Sequence, residues 1–256
     1  MPEMACITIP LSPPLAFTMF IRLTEDQTPL LFWKLVAASV LVALIPTFWP
    51  ELDLRAAALF TGATPTIDSS GWWWVEWINA WVPAAFRTLL AICALGWLLA
   101  HFAPRWKAWR LPLAFVVCAG IAGPGAIVNW GFKENWQRAR PYQVENFGGT
   151  QQFSRATVMT DQCDNNCSFV SGHVACGFFF SSLMLIHLRR RKAWLLVGTA
   201  AGLAIGFSRM SAVAHWFSDV LWAYPITLMS SWLVWQLLSR LYGFAGPDTK
   251  PEATSG

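Results

Sequence analysis

Charge is what this chain has least of: 12% of its residues are Asp, Glu, Lys or Arg, against 55% that are hydrophobic, and mean hydropathy is +0.44. A soluble domain carries roughly a quarter charged residues, so an ordinary water-soluble fold is excluded and a polytopic membrane protein is expected. Tyrosine is scarce at 3 residues, whereas Trp and Phe reach 17 and 18, as suits aromatic side chains seated near bilayer interfaces. The first twenty residues lack the basic start of a cleavable signal and contain Pro2, Pro10, Pro13 and Pro14, so the first spanning helix is expected to direct insertion. There is no internal repeat and no low-complexity tract, and a net charge of +4 gives no sign of a nucleic-acid partner.

Six cysteines are present. Cys93, Cys118 and Cys176 fall in apolar runs and read as small core hydrophobes. Cys163 and Cys167 flank a polar stretch, DQCDNNCSF, where a disulfide would need an oxidising compartment and a geometry that spacing alone does not fix. No second ligand pair stands at zinc-finger spacing from them.

Crossing the hydrocarbon takes roughly 20 apolar residues per helix. Six candidate spans follow, at about 30–49, 82–102, 111–130, 169–188, 193–208 and 216–238. The first carries Lys34 near its start, where the side chain can snorkel. Residues 50–80 are broken by Pro, Gly and Ser, and their Trp72-Trp73-Trp74 run with Trp77 reads as an interfacial belt. Gly and Pro interrupt the end of the third span, which should bend or pack closely, and the small residues of the fifth suit tight helix contact. The expected fold is therefore all-α, a membrane bundle of six transmembrane helices over 30–240, with a cytoplasmic segment 1–29 and a flexible tail 241–256. The loops after the second and fourth spans hold Arg105, Lys107, Arg110, Arg189, Arg190, Arg191 and Lys192 and no acidic residue, so they are expected in the cytoplasm. The other ends of the helices then face outward.

Every polar cluster of interest falls on those outer ends. KENWQRARP supplies Lys133, Arg138 and Arg140; Ser171-Gly172-His173 opens the fourth span; SRMSAVAHWFSD supplies Ser208, Arg209, His215 and Asp219. Guanidinium groups match phosphate oxygens bidentately, so Lys133, Arg140 and Arg209 together describe an anion pocket. Ser171 and Gly172 add backbone N–H groups at a helix start, and glycine permits close approach. His215 and Asp219 stand four apart, on one face of a helix. A carboxylate there can hold the proton of one ring nitrogen and leave the other free to attack phosphorus, with His173 as proton donor to the departing oxygen. No metal or other cofactor is required.

The combined pattern, Lys-x6-Arg-Pro, Ser-Gly-His and Ser-Arg-x5-His-x3-Asp, resembles the three-part signature of the type 2 phosphatidic acid phosphatase superfamily over about residues 130–240. The resemblance implies a metal-independent phosphatase of membrane lipids with a six-helix core and an outward-facing site. It implies His215 as the nucleophile that forms a phosphohistidine, Asp219 as its orienting partner, and His173 as general acid. Lys133, Arg140, Ser171, Gly172 and Arg209 would bind phosphate. Val170 stands where the family usually has Pro before Ser-Gly-His, a change expected to cost no chemistry because proline would only pre-set the turn. The long stretch between the first two motifs resembles a loop of relatives that act on large envelope lipids such as lipid A.

Candidate substrates are phosphatidic acid, phosphatidylglycerol phosphate, undecaprenyl diphosphate and lipid A phosphates, in a bacterial inner membrane with the site on the periplasmic side. Two other readings use the same residues: phosphoryl transfer from one lipid to another, and a non-enzymatic protein that binds or transports anionic lipid. A zinc site from His173, His215, Asp219 and the cysteines is disfavoured by the cations nearby. Arg138 reads as a solvated or headgroup-contacting residue and Arg87 as an interfacial anchor. Oligomeric state is not legible.

Overall fold

A computed structural model describes residues 28–242 apart from 64 and 70. The expected tail beyond 242 and all but the end of segment 1–29 lie outside the described residues. What is described is helical, with one isolated bridge between Val144 and Gln151. The long helices are α1 (Thr28–Phe48), α3 (Trp73–Phe102), α4 (Arg110–Gly120), α6 (Arg191–Ser211) and α7 (Phe217–Leu241). Two short ones complete the frame, α2 (Glu51–Ala58) and α5 (Gly172–Phe178), the latter extended by 3-10 turns to Leu185. Phe32 of α1, Phe86 of α3, Phe115 of α4, Phe179 beyond α5 and Leu228 of α7 form the main core.

Four of the described segments are long and apolar enough to cross a membrane: Pro29–Phe48, Trp73–Phe102, Pro104–Gln143 and Leu188–Ser211. The sequence expectation was six. The fourth expected span is an apolar helix of only Gly172–Leu185. The sixth coincides with α7, which has the length but buries Ser218, Asp219, Thr227, Ser230 and Ser231 on its inner side.

The second span is also longer than the sequence suggested. It starts at Trp73, so Trp77 lies inside the helix, and it runs through Pro83. A membrane helix tolerates such a proline where a soluble one breaks, because local adjustment re-satisfies the freed carbonyl. The core reading of the free cysteines holds least for Cys118, which is exposed on the outside of α4.

Two local features draw the polar ends together. Beyond Gly120 the backbone of α4 widens into a π-helix, Ile121–Lys133, containing Pro124, which has no N–H to give to the helix ladder. There the Asn129 side chain donates to the Pro124 carbonyl at 2.8 Å, and a Cβ on Gly123 would come within 2.6 Å of Ser230 Oγ on α7. The π-segment delivers Lys133 at its end. On α6, Gly198, Gly202 and Gly206 repeat every four residues and line one face. A Cβ on Gly202 would sit 2.1 Å from Phe178 Cδ1, and one on Gly206 would sit 2.5 Å from Val220 Cγ1. Only bare backbone lets α6 lie this close to α5 and α7, and that approach brings Arg209 beside His173 and His215.

Candidate active site

Three of the sequence motifs meet at one end of the bundle, opposite the basic loops that hold Arg105 to Arg110 and Arg189 to Lys192. His215 precedes α7, in the turn that follows α6, and is buried. Its Nδ1 lies 2.8 Å from the carbonyl oxygen of Ser168. A carbonyl only accepts, so Nδ1 carries the proton and Nε2 keeps a bare lone pair. That Nε2 is buried with no hydrogen-bond partner. Burial, and after it the charges of Arg209, Arg140, Lys133 and His173, hold the ring well below the ordinary histidine value of 6.5. His215 is thus a neutral imidazole within electrostatic range of all four.

The role expected of Asp219 is divided in the structure. Its Oδ2 is 3.6 Å from His215 Nδ1, because His215 stands before the helix begins and not on its face, and the hydrogen bond at Nδ1 is taken by Ser168. Asp219 acts one step back. It accepts from the Ser168 hydroxyl in a short hydrogen bond and from the Trp216 N–H at 2.9 Å, fixing both residues that flank the imidazole. It remains close enough to favour positive charge on the ring.

The cations are held around this ring by backbone and amide oxygens. Lys133 Nζ donates to Asn166 Oδ1 at 2.9 Å, and Arg140 donates through Nε and Nη2 to the Asn166 carbonyl at 3.2 and 2.7 Å. Asn166 belongs to the loop closed by a disulfide between Cys163 and Cys167, the bond that spacing left open. From α6, Arg209 Nη1 donates to the Asn79 side-chain oxygen in a short hydrogen bond, while its Nε is buried without a partner. His173 Nε2 lies 3.1 Å from the Asn79 carbonyl oxygen. Ser171 caps α5 in extended conformation, and its buried hydroxyl also lacks a partner. At Gly172 a Cβ would come within 3.1 Å of Asn129 Oδ1, so glycine lets α5 start directly against the π-segment.

Arg138 is not solvated. It is fully buried, with Nη2 on Asp53 Oδ2 at 2.8 Å, Nη1 on Asp219 Oδ1 at 2.6 Å and on Ser218 Oγ at 2.8 Å, and Nε on the Ser154 carbonyl at 2.9 Å. Its guanidinium also lies 5.3 Å from the Trp216 ring centroid and 5.8 Å from that of Phe153. Asp53 of α2 completes the set by accepting from the Ser218 N–H at 2.8 Å and its hydroxyl at 2.5 Å. A buried guanidinium demands such saturation, since desolvation without partners costs several kcal/mol per ion. Sequence reasoning missed Asp53, Asn79, Asn166 and Ser168. Only Arg138 carried a signal, a third cation between Lys133 and the Arg140-Pro141 pair.

The chain matches the PAP2 superfamily over residues 109–242. It is 32% identical over 199 residues to a protein of Francisella tularensis subsp. novicida named lipid A 4'-phosphatase, a match covering 75% of this chain and 88% of that one. It is 38% identical over 101 residues to a Rhizobium leguminosarum protein of the same name, covering 39% of this chain and 43% of the relative. A Rhizobium etli protein, also named lipid A 4'-phosphatase, is 38% identical over 101 residues, with 39% of each chain covered. No solved structure gives a significant match.

Proposed function

The chain belongs to the PAP2 superfamily, and from that premise we propose that it is a membrane lipid phosphatase working through a phosphohistidine on His215, without a metal, with lipid A phosphate as its substrate. The observation that carries this reading is a set of three buried polar atoms without partners, His215 Nε2, Arg209 Nε and Ser171 Oγ, beside Lys133 and Arg140. A buried donor left unpaired costs about 1–3 kcal/mol. A phosphoryl group would supply acceptors to Arg209 and Ser171 and an electrophile to His215.

In the first step the Nε2 lone pair forms a bond to phosphorus while the bond to the lipid oxygen breaks, and that oxygen takes a proton from His173. The Asn79 carbonyl accepts from Nε2–H of His173, so the transferred proton is a second one, on Nδ1 of an imidazolium, a form that the negative charge of the bound phosphoryl group would favour against the burial and the cations around the ring. The ring of His215 becomes cationic, which the Ser168 carbonyl and the Asp219 carboxylate favour. In the second step His173 takes a proton from water, the water oxygen bonds to phosphorus, and the N–P bond breaks. Lys133, Arg140 and Arg209 meet the charge on the phosphoryl oxygens in both steps. The relatives' name supports the lipid A assignment.

Residues 30–240 would act as one domain in a bacterial inner membrane, with the site on the periplasmic side. The basic loops at the opposite end of the bundle and the disulfide beside the site support that orientation. The test is phosphate release from lipid A by purified protein in detergent, followed by acid quench. The expected result is a phosphoenzyme that is acid-labile and alkali-stable, lost in His215→Ala. The reverse lability, which marks an acyl phosphate, would overturn the mechanism, and so would full turnover in His215→Ala.

A further inference from the structure

The hydrogen-bond ladder of α3 lacks one donor, and the gap falls beside the reacting groups. Each carbonyl of a regular α-helix accepts from the N–H four residues further on. For Asn79 that donor would be residue 83, and Pro83 has no N–H to give. The ring of a helical proline also crowds the carbonyl it leaves without a donor. A carbonyl freed inside a spanning helix needs a partner from elsewhere, since its unpaired burial is costly. The partner here is the proton donor of the reaction: His173 Nε2 lies 3.1 Å from the Asn79 carbonyl oxygen.

The side chain of the same residue reaches a second group of the site. Asn79 Oδ1 accepts from Arg209 Nη1 in a short hydrogen bond, so one residue of α3 touches α5 through its backbone and α6 through its amide. Asn79 and Pro83 both precede the residues that match the family, 109–242. We propose that they are positioning residues for the reaction: Pro83 frees the carbonyl that holds His173, and the Asn79 amide holds the phosphate-binding Arg209. The inference rests on the hydrolase reading above and adds to it two residues that need touch no substrate.

Each contact suits the group it serves. A carbonyl only accepts, so it keeps a proton on Nε2 of His173 and leaves Nδ1 as the nitrogen that exchanges a proton with the substrate. Its partial negative charge favours the cationic ring that the transfer needs, against burial and the charges of Arg209, Lys133 and Arg140. A regular helical turn at residue 83 would draw the Asn79 carbonyl back along the helix axis, toward the restored N–H and away from the imidazole. At Arg209 the neutral amide orients the guanidinium without cancelling its charge. A carboxylate in the same place would pair with the guanidinium and repel a phosphate.

The test reads three quantities separately on the full-length protein in detergent: kcat on lipid A and on dioleoyl phosphatidic acid, the inhibition constant of inorganic phosphate, and Tm. Pro83→Ala and Pro83→Ser both restore the N–H. Each should lower kcat by about tenfold or more, part of the roughly 10²–10⁴ that a placed general acid supplies, and leave the inhibition constant within about twofold of wild type. Tm should be unchanged or raised, since proline is the least favourable residue inside a helix. Asn79→Asp should raise the inhibition constant by about tenfold, through the charge set against the bound anion. A wild-type kcat in both proline variants, a kcat loss matched by an equal rise in the inhibition constant, a fall of Tm in both, or an unchanged inhibition constant in Asn79→Asp overturns the positioning role and leaves the hydrolase reading intact. Release of phosphate from neither lipid by wild type overturns the hydrolase reading and the positioning role with it.

Discussion

Two polar clusters lie back to back at this end of the bundle, and they are built from the same kinds of side chain. In the inner one, Arg138 spends all three of its nitrogens on Asp53, Asp219, Ser218 and the Ser154 carbonyl, and both carboxylates are saturated in turn. In the outer one, the hydrogen bonds of Lys133, Arg140 and Arg209 go to amide and carbonyl oxygens and not to a carboxylate, and His215 Nε2, Arg209 Nε and Ser171 Oγ have no partner. Cations that are fully paired hold a fold, whereas cations held only by neutral oxygens keep their charge available to a ligand. The shared member is Asp219, which closes the inner cluster and, through Ser168, orients the His215 ring of the outer one.

The sharpest way to break this contrast is to remove groups from each side and read activity and stability separately. His215→Ala should lower kcat by about 10⁴-fold or more, as loss of a nucleophile does, with no fall in Tm. Arg209→Ala should cost about 10²–10³ in kcat/KM, the size of an oxyanion contact, and again leave Tm unchanged or raised, since it relieves repulsion among three cations. Asp53→Ala belongs to the other side. Uncovering the buried Arg138 should destabilise the protein by about 3–5 kcal/mol in thermal unfolding, with activity falling because Asp219 and Ser168 lose their setting. A loss of Tm in Arg209→Ala equal to that in Asp53→Ala would erase the distinction.

A smaller effect sharpens it further. Gly202→Ala places a methyl where the Phe178 ring edge lies and should cost about 1–3 kcal/mol by overpacking, while lowering activity because α5 carries Ser171 and His173. Smallest is the effect of acid. His215 is neutral in the fold, and in the unfolded chain it takes up a proton near 6.5, so the unfolded state binds more protons as pH falls below that value. Wild type should therefore lose stability below about pH 6.5, a loss that is smaller in His215→Gln and persists there through His173, whose value burial also lowers. Because the ring stays neutral in the folded protein, no loss of nucleophile should appear in the pH profile between 6.5 and 6.

What could be read from the chain alone was whatever is local. Ser208-Arg209, His215 and Asp219 lie in one stretch of twelve residues, and their spacing already brought them into one group. The π-helical delivery of Lys133 was visible only as a Gly and Pro interruption. Asp53 was out of reach for a physical reason: it is a single acid in an unremarkable segment, and its meaning comes from Ser218, 165 positions away. Arg138 was misjudged because a cation near a membrane surface has an easy default in lipid headgroups, and only the burial of Asp53 and Asp219 removes that option. The helix start at Trp73 was hidden by Pro83, whose usual effect on a helix does not carry over to an apolar surrounding.

The covalent link between Cys163 and Cys167 has a further consequence. Asn166 lies inside the small ring it closes and is the common anchor of Lys133 and Arg140. Two like charges pinned to one residue, Lys133 at its side-chain oxygen and Arg140 at its backbone carbonyl, cannot drift apart when nothing lies between them. The work of bringing them together is done once, as the chain folds, and need not be repeated for each anion that arrives.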